Sequence, residues 1–163
     1  MSLCQEFCNG PKPEIRVFES IELEAESVSA WIAERIGNGV VPHEIGIFVR
    51  SEEQLNRAKE AAQTSGAPFK VLDEHMETTT GQLSVSTMHL AKGLEFRIVA
   101  VMACDDEVIP LQERIESVAD DADLEEVYET ERHLLYVACT RARDYLLVTS
   151  AGPASEFQDD LQG

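Results

Sequence analysis

The run Ser86-Thr87-Met88-His89-Leu90-Ala91-Lys92-Gly93-Leu94-Glu95-Phe96 decides how the rest of the chain is read. Just before and into it, Leu83, Val85 and Thr87 alternate with Ser84 and Ser86, the period of a strand. The pattern then breaks into a polar turn holding His89, Lys92, Gly93 and Glu95, and a second apolar strand follows from Ile98 to Met102. A strand that ends in ionisable residues and a glycine, with another strand directly after it, is where an open α/β sheet builds ligand sites.

Upstream, Gly10, Pro11 and Pro13 make residues 1–13 an irregular lead-in. Ile15 to Glu19 alternates as a short strand, and Ser20 is placed to cap a helix. In that helix Val28, Trp31, Ile32 and Ile36 share a face, while Glu22, Glu24, Glu26 and Glu34 are expected largely elsewhere. Gly37-Asn38-Gly39 stops it. Ile45 to Val49 is the next strand, with Arg50 at its carboxyl end. Ser51 and Gln54 have capping-box spacing for a helix that buries Leu55, Ala58, Ala61 and Ala62 and ends near Gly66. Phe69 to Leu72 reads as a strand, and residues 73–82 as a polar surface connection.

Downstream, residues 105–131 are rich in carboxylates, with Arg114 the one base, and read as a solvated loop leading into a helix. From about Leu124 that helix carries Val127, Leu134, Leu135 and Ala138, and it ends in Thr140-Arg141-Ala142-Arg143. Tyr145 to Thr149 closes as a strand, Gly152-Pro153 ends the fold, and residues 153–163 are expected as a tail. Strands alternating with helices predict an α/β fold of about six strands, mostly parallel, with helices on both faces.

The 163 residues suit one domain with a true core, and 44% hydrophobic residues exclude a disordered chain. No apolar run approaches the roughly 20 residues that cross a bilayer, so no membrane partner is expected. Cys4, Cys8, Cys104 and Cys139 are too scattered for a metal site, and a reduced, cytoplasmic protein is the expected setting. Acids outnumber bases 31 to 13, for a net charge of −18. Nucleic-acid binders usually carry a basic face, so any such contact must come from a few placed residues or from a partner domain.

Arg50, Glu95 and Arg141 all stand at the ends of elements. Arginine there matches phosphate by its planar fork of donors, provided that the charges converge. Taken singly, His89 reads as a capping or core histidine, Lys92 as solvated, and Gly93 as a turn glycine. No G-x-x-x-x-G-K-[ST] occurs, so no P-loop holds a β-phosphate, and there is no Ser-His-Asp, Cys-His or zinc arrangement.

Two strings carry a resemblance. T-M-H-L-A-K-G-L-E-F from Thr87 resembles motif V of the UvrD/Rep/PcrA-type helicases of superfamily 1, and E-R-H-L-L-Y-V-A-C-T-R-A-R from Glu131 resembles their motif VI. I-G-I-F-V-R-S from Ile45 is similar to motif IV, and the likeness runs from about Ile15 to Ser150. It implies the C-terminal RecA-like domain, 2A, spanning residues 14–152. The implied partner is the 1A domain of the same polypeptide, which carries the P-loop and binds most of the ATP and Mg²⁺. By the same resemblance Arg50 and Arg141 reach the γ-phosphate, Arg141 as arginine finger. Glu95 and Gly93 contact the nucleotide, and Thr87 and His89 face single-stranded DNA. Lys92 receives no contact.

The chain departs from that family in three places. Val49 stands where relatives carry an adenine-stacking aromatic, and Phe48 is expected on the opposite strand face. His133 replaces the second arginine of a common pair. Residues 73–82 fill the place of a large 2B subdomain, so 2B is either naturally absent or removed, and a polar connection without a Gly/Ser linker favours natural absence. The function implied is the motor half of a DNA helicase or translocase, with K-G-L-E-F leaning to 3′-to-5′ movement. The alternative is a degenerate module that binds a protein through its acidic face and hydrolyses nothing.

Overall fold

All five strand pairings in the computed structural model are parallel, so each connection must return the chain from the carboxyl edge of the sheet to its amino edge. The structure describes residues 12–158 and residue 161, so Cys4, Cys8 and most of the lead-in lie outside the described residues. The strands are β1 (Glu14–Phe18), β2 (Ile45–Val49), β3 (Phe69–Val71), β4 (Leu83–Thr87), β5 (Phe96–Val101) and β6 (Ala142–Ala151). They lie in the order β1-β6-β5-β2-β4-β3. The helices are α1 (Ile21–Gly37), α2 (Leu55–Ser65), α3 (Gln112–Glu116) and α4 (Asp121–Cys139).

The apolar alternation of the central strands sorts the core into two layers. Ile45, Ile47 and Val49 pack with Val28, Trp31 and Ile32 of α1 and the alanines of α2. Phe48, Val99 and Val101 face the other way, against Leu135 and Ala138 of α4. Phe48 and Val49 thus occupy opposite faces, as the strand period requires.

Local signals hold in part. The Ser20 hydroxyl accepts from the Leu23 amide at 3.1 Å, capping α1. Ser51 caps nothing: its hydroxyl is buried without a partner, and a 3₁₀ turn over Glu52–Gln54 precedes α2. The helix α4 begins three residues before Leu124, because the Asp120 carboxylate accepts from the Asp123 amide and starts it there. Glu24 is fully buried, where it was expected outside the apolar face of α1. The described residues beyond Gly152 do not hang free. Ala154 bridges Asp105, the Ser155 hydroxyl donates to the Ile109 carbonyl, and Phe157 and Leu161 join the α4 layer.

Two connections lack the usual helical crossover, residues 72–82 between β3 and β4 and residues 88–95 between β4 and β5, and the second lies across another strand. Strands β4 and β5 flank β2, yet only residues 88–95 join them, and they hold a single 3₁₀ turn, Met88–Leu90. They cross β2 on its α4 side, with Met88 and Ala91 buried and Phe96 in edge contact with Phe48 at 6.0 Å between ring centres. Gly46 makes room: a Cβ there would stand 2.7 Å from the Phe96 ring. Gly93 sits in the crossover at φ +88°, a conformation that side chains rarely adopt.

Gly46→Ala is expected to lower stability by about 1–3 kcal/mol through overpacking against Phe96, read by denaturant unfolding. A loss below the precision of the midpoint would mean that the crossover does not press on β2. Phe157→Ala is expected to cost about 3–5 kcal/mol as a core truncation in the same assay. A loss typical of surface sites would return residues 153–163 to the status of a tail.

Candidate functional site

The two ends of this crossover lie at opposite edges of the sheet. Thr87 closes β4, so it and His89 stand at the carboxyl edge, whereas Glu95 directly precedes β5 at the amino edge. The sequence-predicted residues fall into two groups accordingly.

At the carboxyl edge Arg50 leaves β2 and is immediately buried, with 2% exposure. Its Nε and Nη2 donate to the two oxygens of Glu131 at 2.8 and 2.6 Å, a bidentate pair, and its Nη1 lies 3.1 Å from His89 Nε2. Glu131, in the middle of α4, has no exposure. It also accepts the Leu111 amide at 2.6 Å and Arg114 Nη1 at 2.8 Å. Burial would push its carboxyl up, but the donors of Arg50, Leu111 and Arg114 outweigh burial and hold it below the ordinary carboxylate range. Burial and the Arg50 charge hold His89 below its ordinary value near 6.5. Thr87, His89, Arg50 and Arg114 line an open groove of about 840 Å³, together with Glu52, Glu53, Asp73 and Glu74.

At the amino edge Arg141 follows α4 and precedes β6. Its Nε donates to Val137 O at 3.2 Å, its Nη1 to Leu94 O at 3.2 Å and its Nη2 to Thr140 Oγ1 at 3.1 Å, while its own carbonyl accepts the Phe96 amide. These partners are all neutral oxygens, and among the described residues no carboxylate pairs with Arg141. The side chain is half-buried and clamps the end of the crossover. Gly93 and Glu95 are exposed beside it, Glu95 lining a recess of about 320 Å³ with His43, Arg97 and Arg143. Lys92 is exposed.

Arg141 and Glu95 are therefore brought together through Leu94, and Arg50, Thr87 and His89 form a separate group. Arg50 and Arg141 do not converge. A strand's carboxyl end and a helix's carboxyl end lie on opposite edges of a parallel sheet, so two arginines that both follow regular elements are set apart. His133 is exposed, and its ring only adjoins Tyr136.

Sequence reasoning passed over two buried carboxylates. Glu131 shares a helix face with Leu135 and Ala138, and Glu24 with Val28 and Trp31; an acid on an apolar helical stripe was the available signal. Glu24 accepts from Arg57, from the Ala103 amide at 2.9 Å and from Thr149 Oγ1 at 2.8 Å, and Arg57 also pairs with Asp105 at 2.7 Å. Cys104 and Cys139 are buried free thiols. Burial raises Cys104 well above its usual range and Cys139 to about 12, so neither is a nucleophile at neutral pH. Among the described residues no cluster of acids, histidines or cysteines suits a metal, and no helix is long and apolar enough to cross a membrane.

Comparison with known proteins gives the family of residues 72–152 and the fold. The model of the UvrD-like helicase C-terminal domain matches residues 72–152. The ATP-dependent DNA helicase PcrA of Staphylococcus epidermidis RP62A is 41% identical over 81 residues, which are 50% of this chain and 10% of the relative. PcrA of Staphylococcus aureus Mu50 is 40% identical over the same length. The matched stretch thus spans about a tenth of the length of these curated relatives. A crystal structure of the C-terminal domain of a possible DNA helicase from Lactobacillus plantarum WCFS1 superposes with a TM-score of 0.68 at 22% identity. It covers 98% of this chain and 88% of its own, which establishes the shared α/β fold.

Removing Glu131 leaves Arg50 buried without a counter-ion, so Glu131→Ala is expected to cost about 3–5 kcal/mol in denaturant unfolding. The pH dependence follows from the signs. Glu131 is depressed, so its contribution is complete above about pH 4.3 and fades as pH falls through its folded value. His89 is depressed too, so the unfolded chain binds more protons below about pH 6.5 and stability declines on that side as well. Stability profiles should therefore fall on acidification, with a flatter limb below about pH 4.3 in Glu131→Gln than in wild type. Parallel limbs would mean that the carboxylate does not titrate as placed.

Proposed function

Since residues 72–152 belong to the UvrD-like helicase C-terminal domain family, we propose that this chain is the second motor domain, 2A, of an ATP-dependent DNA helicase or translocase. The domain runs from residue 14 through the packed Phe157 and Leu161, and it meets a P-loop-bearing 1A domain of the same polypeptide across a nucleotide cleft. The observation that carries this reading is Arg141. In a chain of net charge −18 it is held by three neutral oxygens, so its charge is left for an anionic group.

Arg141 acts as the arginine finger. A guanidinium fixed at three points reaches a transferring phosphoryl group with little reorganisation, and such a charge is worth roughly 10³–10⁵ in rate. Glu95 and the Gly93 backbone lie beside it, where a ribose hydroxyl or a phosphate oxygen would meet a carboxylate acceptor or an amide donor. Mg²⁺ would be held mainly by residues of 1A, and it would supply charge neutralisation to the phosphates. Thr87 and His89 meet single-stranded DNA at the other end of the crossover. Arg50 was expected to reach the γ-phosphate; its charge is matched by Glu131 on the far edge, so we assign it to the strand-side group. The K-G-L-E-F form favours 3′-to-5′ movement, and the setting is the cytoplasm.

In the longer protein, Arg141→Ala is expected to cut ATP turnover by about 10³–10⁵-fold while nucleotide affinity changes little. Turnover within a few-fold of wild type would dismiss the finger assignment. The isolated chain is expected to hydrolyse no ATP and to bind oligothymidylate weakly, with affinity falling steeply as salt rises.

A further inference from the structure

We propose that Glu131 and Arg50 are positioning residues for His89: the carboxylate fixes the guanidinium, and the guanidinium fixes the imidazole as the neutral tautomer whose remaining donor, Nδ1–H, serves the acceptor atoms of a single strand. This rests on the reading that His89 meets DNA, and it adds how the residue is made ready to do so.

The argument begins with donor inventory. Arginine has five N–H donors and no acceptor, so His89 Nε2, 3.1 Å from Arg50 Nη1, must accept. A ring that accepts at Nε2 carries its proton on Nδ1, and a doubly protonated ring could not make the contact. Arg50 is itself held along its other edge, Nε and Nη2, by the two oxygens of Glu131, so Nη1 is aimed by a rigid fork. Both members of that pair are buried, which removes solvent as a competitor.

The charges around the ring act in the same direction. Arg50 from β2 and Arg114 from α3 face it with Glu131 from α4 between them, two guanidiniums to one carboxylate. That local excess of one positive charge opposes the −18 of the chain, and it disfavours a further proton on the ring. Glu52, Glu53, Asp73 and Glu74 line the same groove. A strand lying there would find a neutral donor at His89 and a half-exposed cation at Arg114, 37% exposed, beside it.

The test uses ¹⁵N-labelled chain and long-range ¹H–¹⁵N spectra of the imidazoles, with His89 assigned by its loss in His89→Gln. Wild type is expected to show the Nδ1–H tautomer at neutral pH and to titrate below about pH 6.5. In the double variant Arg50→Met/Glu131→Leu, which replaces a buried ion pair with apolar groups and should keep the fold, the ring is expected to shift to the Nε2–H form that an unconstrained imidazole favours. Affinity for fluorescein-labelled oligothymidylate at low salt should fall about three- to tenfold, the size of one lost hydrogen bond. If the double variant fails to fold, Arg50→Met alone carries the same readouts, since Glu131 keeps the Leu111 and Arg114 donors. An Nε2–H ring in wild type, or an unchanged tautomer in the folded variant, overturns the positioning role. Oligothymidylate affinity of the His89→Gln variant is a separate arm: wild-type affinity there would overturn the strand reading and leave the tautomer result to stand on its own.

Discussion

A carboxylate withdrawn from water must be matched by donors or the fold cannot hold it, and the carboxyl edge of this sheet is arranged around that requirement. Glu131 receives four hydrogen bonds from three places: the end of β2 through Arg50, the loop before α3 through Leu111, and α3 through Arg114. Leu111 and α3 lie just ahead of α4 in sequence, whereas Arg50 reaches Glu131 from 81 residues away. Glu24 repeats the device on the other face, joining α1 to α2, to the end of β6 and to the loop after β5. Apolar packing fills the two layers, but it has no direction. The two acids supply the direction and fix which loops meet where the strands stop.

That division explains what was legible beforehand. The six strands, their parallel sense and the apolar faces of α1, α2 and α4 follow from side-chain period, which tertiary contacts reinforced. The buried acids were misjudged because acids are mostly exposed, and in a chain so acidic that prior is strong. Their position on the apolar stripe, Glu131 with Leu135 and Glu24 with Val28, outranked their residue type. Ser51 failed as a cap because the chain enters α2 through a 3₁₀ turn that places its hydroxyl out of reach. The tail was misread because Gly152-Pro153 looks like an ending, while Phe157, two turns later, had an apolar surface on α4 to cover.

The separation of Arg50 from Arg141 is of another kind. Both follow regular elements, and linear sequence treats such positions alike. A parallel sheet does not, because strands finish at one edge and the returning helices at the other. Residues that share a local context in sequence are thereby assigned to different neighbourhoods, one arginine neutralised and one left charged. Those neighbourhoods are joined by the last part of α4 and the turn after it, from Glu131 to Arg141, and by the crossover containing His89 and Glu95.

Its shortness has a consequence for what the chain can tolerate. Residues 88–95 must travel the length of β5 and step sideways across β2, a path of about 22 Å from strand rise and spacing, when nine links fully drawn out reach only about 30 Å. The 3₁₀ turn and Gly93 use much of the difference. Contour length itself is then a fixed quantity here, as sequence identity is at a buried position. The exposed loop at residues 73–81 is under no such limit, because it joins neighbouring strands over open surface. Gain or loss of residues is thus channelled to one connection and barred from the other, and a displacement at either end of the taut one has little slack in which to dissipate.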